Sequence, residues 1–222
     1  VKGQPAVEDI AEALISSRVG LSDEDAPRGS FLLAGPTGVG KTETAKAINE
    51  ILNGGGEIVR INMGEFQEKH TVSGLIGSPP GFVGFDNNES AQLTDPVRNQ
   101  PFSVVLVDEI EKAHPDVMNI FLSILDDGEA KDGQGRKVDF RNTIFIFTTN
   151  LGAKEVAAHL SGGGVGFNTD DETNADARRE KDHEKVQAIT MSAIKKALRP
   201  EMVNRFDGVF TYYHLEKEQV AS

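Results

Sequence analysis

Apolar positions along this chain switch between helical and strand spacing, and the switches mark out its elements. From Val7 they fall at Val7, Ile10, Ala11, Leu14 and Ile15, the spacing of one helical face. The polar stretch Ser22–Gly29, with Pro27, ends that pattern. Ser30–Ala34 is a short apolar strand running into a glycine-rich turn. Helical spacing then returns with Ala45, Ile48 and Leu52, until Gly54-Gly55-Gly56 stops it. Further strands are predicted at Glu57–Ile61, Ser103–Val107, Thr143–Thr148 and Gly208–Tyr212. Ser103–Val107 and Thr143–Thr148 are almost wholly apolar, as expected of strands covered on both faces in a parallel sheet. Between them Val117, Ile120, Phe121, Ile124 and Leu125 share a helical face, and Pro115 suits that helix's first turn. Glu129–Phe140, with Asp132-Gly133 and Gly135, predicts a tight hairpin. A last helix is predicted from about Val186 to Leu198. Ser161–Asp182 is rich first in glycine and then in charge, and predicts an exposed, mobile loop. Strands alternating with helices predict a doubly wound α/β fold.

The turn after the first strand carries the chemistry. Gly35-Pro36-Thr37-Gly38-Val39-Gly40-Lys41-Thr42 fits the phosphate-binding pattern G-x-x-x-x-G-K-[ST], with a strand before it and a helix after. Glycines let the backbone wrap closely enough for its N–H groups to face phosphates, and the helix adds its positive dipole end. Lys41 would reach the terminal phosphates of ATP, and the Thr42 hydroxyl would ligate Mg²⁺. The apolar run Val104–Val107 ends in Asp108-Glu109, which supplies one acid to organise the metal and a second to act as general base on water. Alone, two acids after a strand are often just solvated carboxylates. Paired with the lysine loop they predict a P-loop NTPase: a three-layer α/β/α fold with a mostly parallel five-stranded sheet. Thr143–Thr148 leads to Thr149-Asn150, where an amide would position the attacking water, although such an Asn is often only a turn former.

Composition narrows the partners. Lys and Arg number 23 against 35 Asp and Glu, giving a net charge of −12 that a nucleic-acid backbone would repel. No apolar run approaches the roughly 20 residues that span a bilayer. Acids and a proline among the opening residues take the place of a secretory signal core. The absence of cysteine removes disulfides and zinc–thiolate sites and fits a reducing, cytoplasmic setting. The five histidines are scattered, with no pair at metal-ligand spacing.

In its motifs the chain resembles the AAA+ superfamily, and specifically the second ATPase module of the Clp unfoldases and disaggregases. The resemblance rests on Gly35–Glu43, Glu68–Phe85, Val104–Val117, Leu125–Thr143, Thr148–Gly152 and Arg199–Asp207. It implies one AAA+ large subdomain over residues 1–222, binding ATP (ADP as product) with Mg²⁺, with a small helical lid expected beyond Ser222. Asn150 matches the sensor-1 position, and Arg205 the arginine finger offered to a neighbouring subunit of a hexamer. Val1, with Gly3 and Gln4, matches the segment near the adenine. Gly81-Phe82-Val83-Gly84 matches the pore loop that grips unfolded polypeptide, although the family more often has tyrosine in place of Phe82. Val165-Gly166-Phe167 resembles the tripeptide that docks Clp unfoldases on a ClpP-like peptidase, which makes the ClpC/ClpA type the nearer match. Gly74 departs from the arginine usual in the family.

The resemblance implies an ATP-driven protein unfoldase that feeds a peptidase, with adaptor proteins among its partners. A ClpB-like disaggregase without a peptidase is the near alternative. A nucleic-acid motor and a non-catalytic nucleotide switch are the more distant ones, disfavoured by the charge and by the complete set Asp108, Glu109 and Arg205.

Overall fold

The computed structural model describes residues 9–14, 25–79, 90–162 and 172–212. At its centre a five-stranded sheet runs in the order β2 (Val59–Asn62), β3 (Val104–Asp108), β6 (Ile144–Thr149), β1 (Gly29–Ala34), β7 (Gly208–Thr211). Every pairing in it is parallel. The strands predicted from apolar runs are all present, with ends shifted by a residue or two. A separate antiparallel hairpin, β4 (Glu129–Lys131) and β5 (Lys137–Asp139), occupies the predicted tight excursion.

Alternate residues of the strands feed two cores, one on each face. Leu32, Val105, Val107, Phe145 and Phe147 point to one side, where α4 (Pro115–Asp127) lays down Val117, Phe121 and Ile124. Phe31, Leu33, Leu106, Ile146 and Phe210 point to the other, against Ala45 and Ile48 of α1 (Lys41–Asn53) and Ile10 of the helical residues 9–14. This is the three-layer sandwich the alternation predicts. Aromatic rings fill the α4 side: Phe121 meets Phe147 edge-on at 5.5 Å and Phe145 at 6.2 Å.

Caps explain where the main helices stop and start. Pro115 opens α4, where the missing N–H costs nothing, and the His114 ring accepts from the Asp116 N–H. Gly54 closes α1 and Gly128 closes α4, both left-handed. Two short helices, α2 (Val72–Ile76) and α3 (Thr94–Asn99), flank residues 80–89, which lie outside the described set. The β4–β5 turn presses on the end of α2: Gly133 N–H donates to Ile76 O at 2.8 Å, and a Cβ on Gly133 would fall 2.1 Å from Gly77 O. The Asp132 carboxylate ties that turn together. Burial alone would raise it, but donors from Arg136, Arg98 and the Gln134 N–H hold it below the usual carboxylate range.

One expectation is corrected. The loop predicted over Ser161–Asp182 is helical at both ends: α5 (Ala153–Gly162) runs into its start, and α6 begins at Glu172 and continues to Ala197. Residues 163–171 lie outside the described set. The sequence of the added turns is polar, which hid them from a reading based on apolar spacing. It is nevertheless rich in Ala, Arg, Glu and Lys, all good helix formers, and it extends a helix already anchored by Val186 and Ile194. The short α7 (Pro200–Val203) then leads to β7. No helix among the described residues is long and apolar enough to cross a membrane.

The aromatic layer under α4 sets a measurable expectation. Phe121→Ala removes a fully buried ring and should cost about 3–5 kcal/mol, read as a lower urea midpoint at unchanged slope.

Candidate functional site

Parallel strands bring their carboxyl ends to one edge, and here the registers align the residues that matter. Asn62 pairs with Asp108, Val107 with Phe147, and Thr149 with Ala34. A cavity of about 420 Å³ opens over these ends, bordered by Gly38, Lys41, Thr42, Asp108, Glu109 and Asn150 among others. It lies where the chain turns from one side of β1 to the other, the usual ligand crevice of open α/β sheets.

The loop between β1 and α1 forms one wall. Gly35 has φ 151°, and a side chain there would collide with the Tyr212 carbonyl at 2.1 Å. The cause is that the chain leaving β7 crosses at this point, with Tyr212 N–H donating to Ala34 O at 2.7 Å. Gly38, at φ 86°, faces open space, so its backbone can approach a ligand unhindered. Val39 points elsewhere and packs beside the α1-side core.

Lys41, the first residue of α1, is only 8% exposed. Its ammonium donates to the carbonyls of Gly35 and Pro36 and, at 3.1 Å, to Asn150 Oδ1. Burial pulls its pKa from an ordinary 10.5 down to about 8, with Glu111, Asp108 and Glu109 opposing the shift through their charges.

The acidic wall comes from β3. One Asp108 oxygen accepts from Thr148 Oγ1 at 3.0 Å, and the other accepts from Arg60 Nε at 2.8 Å and faces Arg60 Nη2 at 2.8 Å. Glu109 follows with φ 58° and ψ 52°, the only left-handed non-glycine residue described. Such a backbone costs on the order of 1–3 kcal/mol and tends to collect at functional sites. Its N–H is held by Thr148 Oγ1 at 3.2 Å. Its carboxylate accepts from Lys112 Nζ at 2.8 Å and from Asn150 Nδ2 at 3.3 Å.

Asn150 therefore joins the two walls. Its amide oxygen meets the ammonium, its amide nitrogen meets the carboxylate, and its backbone N–H donates to Glu111 Oε1 at 3.2 Å. No flipped amide satisfies both neighbours. Arg60, Glu111 and Thr148 escaped the sequence reading. Arg60 reads as an ordinary outward residue of an edge strand and Thr148 as one of its own strand, while Glu111 offered only a third acid after Asp108-Glu109.

The donor set fits a nucleotide polyphosphate with a hard cation. A desolvated ammonium at a helix N-terminus faces an open cavity, and the Thr42 hydroxyl and Asp108 carboxylate on the same cavity are oxygen donors of the kind magnesium takes. Arg205 is elsewhere. It lies in the turn after α7, and its carbonyl accepts from Ser30 Oγ at 2.7 Å, at the start of β1. The phosphate loop begins at the other end of that strand, about 16 Å away at ~3.3 Å per residue. Val1, Gly81–Gly84 and Val165–Phe167 lie outside the described residues.

The family described as AAA domain (Cdc48 subfamily) matches residues 26–209. The negative regulator of genetic competence ClpC/MecB of Bacillus subtilis is 49% identical over 97% of the chain. The chain belongs to the Clp-type AAA+ family. The chaperone protein ClpB of Oceanobacillus iheyensis is 47% identical to this Clp-type AAA+ module, again over 97% of it. A closed-state reconstruction of Hsp104 with ATPγS and FITC casein superposes with a TM-score of 0.79 at 34% identity, covering 99% of the module and 34% of that chain. The module spans about a quarter of the length of the curated relatives it matches. Its family is that of AAA+ ATPases.

The lowered Lys41 pKa gives this site a pH signature. Below about pH 8 the ammonium is already charged, and phosphate binding needs no proton. Above it, binding must take one up, so affinity for magnesium-free ADP should fall towards tenfold per pH unit. Calorimetric titration between about pH 7 and pH 10 checks this. Lys41→Gln should bind weakly and show no such fall.

Proposed function

We propose that this module binds ATP with magnesium and hydrolyses it, and that the cycle drives a polypeptide through the pore of a hexameric ring. The observation that carries the reading is the Asn150 amide, which links the phosphate-loop ammonium to the Glu109 carboxylate across one cavity. When bound, magnesium supplies charge neutralisation on the phosphate oxygens. Thr42 and Asp108 would hold it, the Asp108 carboxylate being positioned by Thr148 and Arg60.

The protein's own groups then divide the work. Backbone N–H groups of Thr37–Thr42 and the Lys41 ammonium bind the phosphates. Glu109 takes a proton from water; its strained backbone fixes where the carboxylate points, and Lys112 holds that carboxylate by a hydrogen bond. Asn150 orients that water and keeps Glu109 aligned with Lys41. Arg205 acts on the site of the neighbouring subunit. The length of β1 lies between it and its own phosphate loop, farther than an arginine side chain reaches.

Coupling to polypeptide rests on Gly81–Gly84, an aromatic between glycines that grips by non-directional apolar contact. Delivery to a ClpP-like peptidase rests on Val165–Phe167. Likeness to ClpB and Hsp104 supports a second reading, a chaperone that works without a peptidase. Deleting Val165–Phe167 tests the docking role: peptidase-coupled degradation should stop while ATP turnover continues, degradation that survives the deletion refutes that role, and an intact protein that supports no degradation by a ClpP-like peptidase favours the second reading.

In the intact protein, Glu109→Gln should retain nucleotide while turnover drops by about 10²–10⁴-fold. Arg205→Ala should keep nucleotide affinity and lose about 10³-fold or more in kcat. An unfolded polypeptide should raise ATP turnover and DNA should leave it unchanged. Unaltered turnover in Glu109→Gln, or stimulation by DNA alone, refutes the corresponding part of the proposal.

A further inference from the structure

The turn that carries Arg205 is fastened on its backbone and loose only at its side chain. Ser30 Oγ donates to the Arg205 carbonyl, and the Ser30 N–H and Asp207 N–H exchange bonds with the Asp207 carboxylate (2.7 Å) and the Ser30 carbonyl (2.8 Å). The Phe206 ring between them is set against Phe147 at 5.2 Å, on the α4-side core. The main chain at Arg205 is therefore fixed to β1, the strand that ends in the module's own phosphate loop. The Arg205 side chain is 51% exposed, and its Nε forms an ion pair with Asp126 Oδ1.

Asp126 is a poor choice for the helix that bears it. It sits in the last turn of α4, which ends in two acids and no base, where the exposed carbonyl ends of the helix already carry partial negative charge. Helix energetics favour a lysine or arginine there. Nor does the pair do much for stability, because both partners are partly in solvent and an ion pair of that kind contributes little. What the pair does provide is direction. The Asp126 Oδ1 in the pair is itself buried and accepts no well-aligned hydrogen bond, so it is the attraction of charge that draws this long, half-exposed side chain to one course while its backbone stays fixed.

We propose that Asp126 is a positioning residue for Arg205, holding the guanidinium along the course on which it is offered to the adjacent subunit's nucleotide. This rests on the reading of Arg205 as that arginine. A misdirected catalytic group loses rate without losing ground-state affinity, so the signature lies in kcat. The α4 helix also begins beside the Glu109–Lys112 turn and carries Asp126 in its last turn, so one rigid element connects a subunit's own acid to the arginine it lends out.

The test uses the intact assembled protein with Asp126→Asn, Asp126→Glu, Arg205→Ala and the Asp126→Asn/Arg205→Ala double variant. Readouts are kcat and KM for ATP, the affinity for a fluorescent ATP analogue, assembly by sedimentation, and the unfolding midpoint. Asp126→Asn should lower kcat by roughly tenfold or more with KM, nucleotide affinity, assembly and unfolding midpoint unchanged. Asp126→Glu should recover most of the loss. In the Arg205→Ala background, Asp126→Asn should cost nothing further, since the group it directs is gone. Wild-type or raised kcat in Asp126→Asn overturns the proposal, as does a further loss in the double variant or a fall in nucleotide affinity. If Arg205→Ala itself turns over normally, the assignment of Arg205 fails, and the role of Asp126 with it. If Arg205→Ala is inactive but Asp126→Asn is not, only the positioning role fails.

Discussion

A positive charge taken out of water has to be met, and in this module the charge is the Lys41 ammonium. Two backbone carbonyls and one side-chain amide solvate it, and three carboxylates stand within electrostatic reach. None of these is a full counter-ion in direct contact, which is why burial still prevails and the pKa falls to about 8. The pocket thus holds a cation whose solvation is incomplete. A polyanion completes it, and much of the surrounding architecture serves to keep that cation in place.

The sheet is what makes this affordable in structural terms. Parallel register places Asn62, Asp108, Thr148, Asn150 and Gly35 on one edge, so residues far apart in sequence meet without long loops. Thr148 shows the economy of the arrangement. Its one hydroxyl donates to the Asp108 carboxylate and accepts from the Glu109 N–H, so the two neighbouring acids share a single anchor on the next strand.

What could be read from the sequence divides along physical lines. Buried strands and amphipathic helices announce themselves through apolar spacing, and both faces of the sheet followed from it. The phosphate loop and the Asp108-Glu109 pair were legible because their chemistry demands particular residues at fixed positions. Asn150 read from its residue type alone as a turn former or a water-positioning amide, and the family resemblance favoured the amide; the structure adds that its side chain hydrogen-bonds both Lys41 and Glu109. Arg60 and Glu111 were invisible because their roles depend on which strand lies next to which. The early turns of α6 were missed for the opposite reason: their helicity comes from residue propensity and continuation of a packed helix, with no apolar stripe to reveal it.

The left-handed backbone at Glu109 has a consequence for how such a module can change over generations. A glycine there would relax the chain at once and remove the carboxylate with it. With Glu109 as the base proposed above, a glutamate keeps the chemistry and carries the conformational cost permanently. Selection for a sturdier fold and selection for turnover therefore pull in opposite directions at this one position. Lineages that no longer need hydrolysis have an immediate thermodynamic reason to abandon the acid.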